Sequence, residues 1–286
     1  MPQFDEATWL ARATAAQHAL KHLIQTYSQY LWTTGGRLSL DKCYWYLLQY
    51  VRHKDGKYRM VGTAQSTFNM EIREVAEDGC TVTVPQLEPG DARRGLGIVG
   101  APDGSQSAQK LVLLHKATSW AQSIRASSLH ATEIWTAYSS VLMPGLRYPL
   151  AVTSLSIGDL RAVQQRVSKI IRNSLHLNKS FPDALFYGAK RYGGLGMTPL
   201  IVHQCVLKLA LFFRHIRAGD TIGQQLLITI GNTQLEIGSS VPFFRLDHKN
   251  YAHLITNTWV THLWQFLSLA NTQLWQAPSH KLWTPS

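Results

Sequence analysis

The sequence predicts an α+β protein, with a small antiparallel sheet packed on a long helix and a mainly helical region after it. Three observations carry that expectation. Apolar residues recur at the 3–4 spacing of one helix face through residues 6–32. Between residues 43 and 100 the pattern shifts to short aromatic and branched runs with turn residues between them. From residue 105 the helical period returns and persists almost to the C-terminus.

In the first helix, 6–32, the face is Leu20, Leu23, Ile24, Tyr27 and Leu31, with Asp5 as the expected cap and Gly35-Gly36 as the stop. "CYWYLLQYV" then reads as a strand, "KDG" at 54–56 as a hairpin turn and "KYRMV" as the returning strand. "CTVTVPQL", 80–87, alternates like another strand, with Pro85 suited to an edge. "GLGIVG", 95–100, is expected as a short buried strand between glycines.

The helical half begins after "APDGSQSAQ". Residues 105–126 place Ala108, Leu111, Leu114, Thr118, Ala121 and Ile124 on one expected face. A helix over 129–142 is expected to end at Pro144-Gly145. Residues 156–177 separate most cleanly. At about 100° per residue, Leu160, Val163, Val167, Ile170, Ile171 and Leu175 share one arc, and Arg161, Arg166, Lys169 and Arg172 share the other. Residues 199–217 repeat the pattern, and a last helix is expected over 250–270 with Trp259, Leu263, Trp264 and Leu267. The resulting segments are 1–103, 104–217 and 218–286.

Composition narrows the function classes. The 286 residues carry 28 Lys and Arg against 17 Asp and Glu, a formal net charge of +11, which favours an anionic partner, nucleic acid above others. The three cysteines, Cys43, Cys80 and Cys205, lack zinc-ligand or disulfide spacing, so reduced thiols in an intracellular protein are expected. The N-terminus has no secretory signal pattern, and no window is apolar enough to span a membrane.

Few motifs carry chemistry. His18 and His22 stand four apart on the first helix, but a third ligand has no evident place, so surface or core-edge histidines are expected and no metal site. "RRGLGIVG" lacks the ending of a phosphate loop. The acidic doublets Asp5-Glu6 and Glu77-Asp78 suit a cap and a turn, and neither builds a two-metal cluster. Trp259, Trp264, Trp275 and Trp283 suit core packing or docking, with base stacking as the alternative. The cations Arg161, Arg166, Lys169 and Arg172 fit either a phosphate-tracking face or a plain solvated one.

The order "TGGRLSLDKCYWYL", "RRGLGIVGAPDGSQSAQ", "YGGLGMTPLIVHQ" and "RAGDTIGQQLL" resembles the C-terminal portion of retrotransposon reverse transcriptases, over about residues 10–270. The resemblance implies the end of a palm, a thumb and a connection region. It implies that Lys42 corresponds to the lysine that approaches the outgoing pyrophosphate, where a cation offsets developing charge. It implies that Leu96, Gly97 and Ile98 correspond to the strand supporting the primer end. The cations at 161, 166, 169 and 172 would grip an RNA–DNA or DNA duplex through its phosphates. The family's catalytic aspartates precede the matched region, so missing upstream polymerase segments are implied. An intact relative would use magnesium, while this chain alone is expected to hold no cofactor and extend no primer. The alternatives from other classes are a non-catalytic nucleic-acid-binding protein and a helical interaction protein.

Overall fold

In the computed structural model, residues 6–52, 58–61, 68–73, 75 and 79–274 are described. The chain is α+β and forms two compact units, Met1–Ser105 and Gln106–Ser286. Asp5, the 54–56 turn, Glu77-Asp78, Trp275 and Trp283 lie outside the described residues.

The first unit opens with α1, Glu6–Thr33. Its end is a Schellman motif. Gly35 takes φ +79°, its N–H donates to the Trp32 carbonyl, and the Gly36 N–H reaches the Leu31 carbonyl at 2.8 Å. Of the expected apolar face, Leu20 and Ile24 pack on a core of Leu40, Trp45, Met70, Ile72 and Val84. Leu23 and Tyr27 are more than half exposed, so the buried stripe is narrower than the pattern implied.

The strands are short: β1 Trp45–Tyr46, β2 Gln49–Arg52, β3 Tyr58–Val61, β4 Glu71–Arg73, β5 Thr81–Thr83, β6 Gln86–Leu87, β7 Arg93–Gly95 and β8 Ile98–Gly100. Among the described residues they form four two-stranded ladders. Three are antiparallel, β2–β3, β4–β5 and β7–β8, while β1–β6 is parallel, with Trp45 opposite Gln86. The aromatic run at 43–51 is therefore two strands, and 80–87 is two strands broken before Pro85, whose nitrogen cannot donate to a ladder. The Gln25 side chain of α1 completes the free edge of β4, donating to the Arg73 carbonyl and accepting from its N–H, both at 2.9 Å. The Trp45 indole donates to the Val84 carbonyl at 3.1 Å, which ties β1 to the core.

"GLGIVG" is not one buried strand. It is a hairpin whose tip is Leu96-Gly97, with Gly97 at φ +87° and Leu96 94% exposed. A glycine with positive φ reverses the chain where a strand would continue.

The second unit is helical: α2 Ser107–Ala126, α3 Ala131–Ala137, α4 Met143–Leu150, α5 Ile157–Ser174, α6 Asp183–Tyr187, α7 Leu200–Ala218, α8 Thr221–Ile237, α9 His248–Tyr251 and α10 Trp259–Leu269. The buried stripe of α2 is Leu113, Ala117, Trp120 and Ile124, rotated from the expected face, and Leu111 is exposed. Pro144 does not end the helical run. A π-helical turn, Tyr138–Leu142, precedes it, and α4 continues with the proline in its first turn, where the missing N–H is tolerated. The expected helix over 250–270 is divided, because Thr258 and Thr261 form a reciprocal cap that starts α10 at Trp259. The periodicity does not single out α8, although Asp220 caps its start and Gly238 its end.

Two apolar clusters fill this unit. One gathers Leu113, Leu146, Leu160, Val163, Val167 and Phe186 from α2 and α4–α6. The other gathers Phe212, Phe243, Leu263 and Trp264 around α7, α8 and α10. Gly223 lets α8 turn back against the end of α7, since a Cβ there would land on the His215 carbonyl. Among the described residues, no helix is long and apolar enough to cross a membrane.

One buried charge is unexpected. Lys208 of α7 is 0% exposed, donates to the Ser154 hydroxyl at 3.0 Å and lies over the Trp259 ring at 4.6 Å. Burial pulls its ammonium down to about 7 from an ordinary 10.5. Nearby His262 is held at about 4, first by burial and then by Lys208.

Gly223→Ala lowers stability by about 2 kcal/mol through a backbone clash. Gly231→Ala, in α8 with open space at its Cβ position, raises stability by about 0.5–1 kcal/mol. Urea unfolding of both variants measures the contrast. For Lys208, the unfolded chain takes up the proton near 10.5 and the folded chain only near 7. The Lys208 contribution to stability is therefore fullest above 10.5 and falls as pH drops toward 7. His262 adds a second loss between 6.5 and 4. Lys208→Met flattens the upper window, by up to about 1.4 kcal/mol per pH unit, and keeps the lower loss. Unfolding free energies across pH for both proteins measure that difference.

Candidate nucleic-acid interface

α5 begins where Ser156 and Asp159 cap each other. The Asp159 N–H donates to the Ser156 hydroxyl oxygen at 3.1 Å, and the Ser156 N–H donates to the Asp159 carboxylate at 3.3 Å. Lys110 of α2 also holds that carboxylate at 2.6 Å, and these bonds draw its proton affinity below the ordinary range despite partial burial. Leu160, Val163, Val167, Ile170 and Ile171 of α5 are buried, so the opposite face points to solvent.

On that face Arg161, Arg166 and Lys169 are exposed and have no carboxylate partner among the described residues. Arg172 differs. Its guanidinium is paired with Asp183, donates to the Phe181 carbonyl at 3.2 Å and lies over the Phe186 ring at 4.4 Å. It ties α6 to α5, and its charge is already met.

Arg161, Lys169 and Arg172 border a groove of about 620 Å³ between α5, the segment after it and the start of α7. Lys179 joins them from the loop before α6. Leu177, Leu200, Ile201 and Tyr187 give it an apolar floor and wall. Arg166 lies outside it and is exposed. Lys179, Tyr187 and Ile201 were not singled out from sequence, since no spacing pattern links them to α5.

The other sequence candidates sit in the first unit. Lys42 is exposed on a 3-10 turn, Leu40–Lys42, and not at a strand start. It edges a depression of about 490 Å³ with Leu23, Tyr27, Leu38 and Tyr44. Leu96 and Gly97 form the hairpin tip already described, and Ile98 is half-buried in β8. Arg93 of the same hairpin lies over the Tyr44 ring at 5.7 Å.

His18 stacks edge-on against Phe68 at 5.1 Å. Among the described residues no group of three or more His, Cys, Asp or Glu is placed to hold a metal ion. The three cysteines are unpaired. Trp264 is fully buried against Phe243 and His248, and its indole donates to the Leu246 carbonyl at 2.9 Å. It is a core residue with no face free for a base.

No family model matches the chain, and no curated protein or solved structure matches it.

The two roles of the α5 cations separate by substitution. Arg172→Ala costs about 1–3 kcal/mol of stability, because it removes an ion pair and a hydrogen bond and leaves a carbonyl unpaired. Arg166→Ala changes stability by less than about 0.5 kcal/mol. Thermal unfolding distinguishes them.

Proposed function

We propose that the chain binds nucleic acid through the exposed cations of α5, as the palm end, thumb and connection region of a retrotransposon-type reverse transcriptase. One observation carries the binding reading: Arg161, Arg166 and Lys169 stand on a single solvent face with no carboxylate partner among the described residues. Three uncompensated cations on one rigid helix are arranged to displace counterions from a phosphate backbone. The net charge of +11 supports the same partner and assists its approach.

Within this proposal α5 holds an RNA–DNA or DNA duplex by its backbone and reads no sequence. The polymerase assignment rests on the order of sequence motifs. Lys42 would stand beside outgoing pyrophosphate, and the Leu96-Gly97 hairpin beside the primer end. The proposed setting is intracellular. A nucleic-acid-binding protein with no polymerase role would use the same face of α5.

Fluorescence anisotropy with a labelled RNA–DNA duplex tests the binding. Affinity falls with salt, and the double reversal Arg166→Glu, Lys169→Glu weakens it at least about tenfold and shrinks the logarithmic salt slope by about 2. Binding that is unchanged by the double reversal overturns the role of α5.

A further inference from the structure

We propose that the groove beside α5 receives the base of an unpaired nucleotide in a bound strand. This deepens the nucleic-acid reading above and rests on it. Backbone recognition needs only projecting cations, which Arg166 supplies. The groove offers something that phosphate contacts do not require: a concavity of about 620 Å³ floored by Leu177, Leu200 and Ile201. That volume lies within the range of roughly 300–1,000 Å³ typical of small-ligand pockets.

Its chemistry is divided as a nucleotide's is. The lining is largely apolar, and it includes Tyr187, a half-buried ring edge-on to Phe186 at 5.0 Å, as the aromatic group for a base to meet. The rim is cationic, with Arg161, Lys169 and Lys179 placed to meet the flanking phosphates. The single acid on the lining, Asp183, is held by Arg172 and offers a carboxylate to an exocyclic amine. A paired duplex presents its bases stacked inside and its phosphates outside, so it leaves the floor empty. An unpaired base at an overhang or bulge fills it. The occupant is thus one unpaired nucleotide of a strand whose neighbouring phosphates lie on the cationic rim.

The test compares three labelled duplexes of the same sequence with the full chain in fluorescence anisotropy. One is blunt, one carries a single-nucleotide overhang, and one carries the same overhang with an abasic sugar. The two overhangs have equal charge and differ only in the base. The expected result is about tenfold tighter binding of the overhang with a base than of the abasic one, in the range of base–aromatic stacking. Tyr187→Leu reduces that ratio toward one while salt-dependent binding to the abasic duplex persists. Equal affinity of the wild-type chain for both overhangs, with salt-dependent binding retained, overturns the pocket and leaves the basic face standing. Absence of binding to all three duplexes overturns both. The wild-type comparison decides the question even if the variant fails to fold.

Discussion

The second unit depends on how the segment 151–155 is held as it leaves α4. Three of its carbonyls accept from side chains far along the chain. The Trp259 indole reaches Ala151 at 3.1 Å, the Gln204 amide reaches Thr153 at 2.8 Å, and His262 Nε2 reaches Leu155 at 2.8 Å. Lys208 donates to the Ser154 hydroxyl between them. A chain leaving a helix through a protein interior has carbonyls that no ladder satisfies, and each would cost free energy if left unpaired. Here α7 and α10 supply the donors, so a single segment joins the two apolar clusters. The arrangement has its own cost. Gln204 Oε1 and His262 Nδ1 are buried without a hydrogen-bond partner, and Lys208 is buried with no carboxylate paired to it among the described residues.

The consequences reach the surface through Ser156. Because Leu155 is fixed in the core, the next residue is fixed as a cap, and the cap sets where α5 starts and which way it rotates. The rotation decides which side chains face out. Charge is then sorted by neighbours. Asp159 is taken up by Lys110, and Arg172 by Asp183, so the remaining cations of α5 have no carboxylate partner among the described residues. The excess positive charge of the face is thus a result of where the acids went as much as of where the bases are.

This explains what was legible in sequence. The α5 stripe and its cationic face could be read because both follow a single period along one helix. The end of α1 could be read because two adjacent glycines fit the two positions of a Schellman motif. The buried face of α2 could not, since its apolar residues nearly surround the helix and only packing against α5 selects Leu113, Ala117 and Trp120. Pairing of β1 with β6 joins residues about forty apart, and no local signal specifies it. No sequence pattern marks Lys208, because its burial is imposed by α10 and the 151–155 segment. Arg172 illustrates the limit for sites: periodicity placed it on the correct face, but its partners Asp183 and Phe181 come from another segment.

The two units also differ in how firmly they hold their candidate residues. Lys42 and Leu96 sit on a 3-10 turn and a hairpin tip, in a unit whose core cluster has five buried apolar residues. The cations of α5 project from an eighteen-residue helix whose other face is buried in the larger cluster. Positional precision rises with the number of packed neighbours that restrain a backbone, and loops open more readily than core helices. A phosphate contact made by a long, flexible cation tolerates such looseness, whereas a base in a groove does not. The α5 groove satisfies the stricter requirement, because its floor residues Leu200 and Ile201 begin α7, and the Leu200 N–H is held by the Gln164 side chain of α5 at 2.8 Å. That bond spans the groove's base and keeps its two walls in register, so its shape is set by the same packing that orients α5.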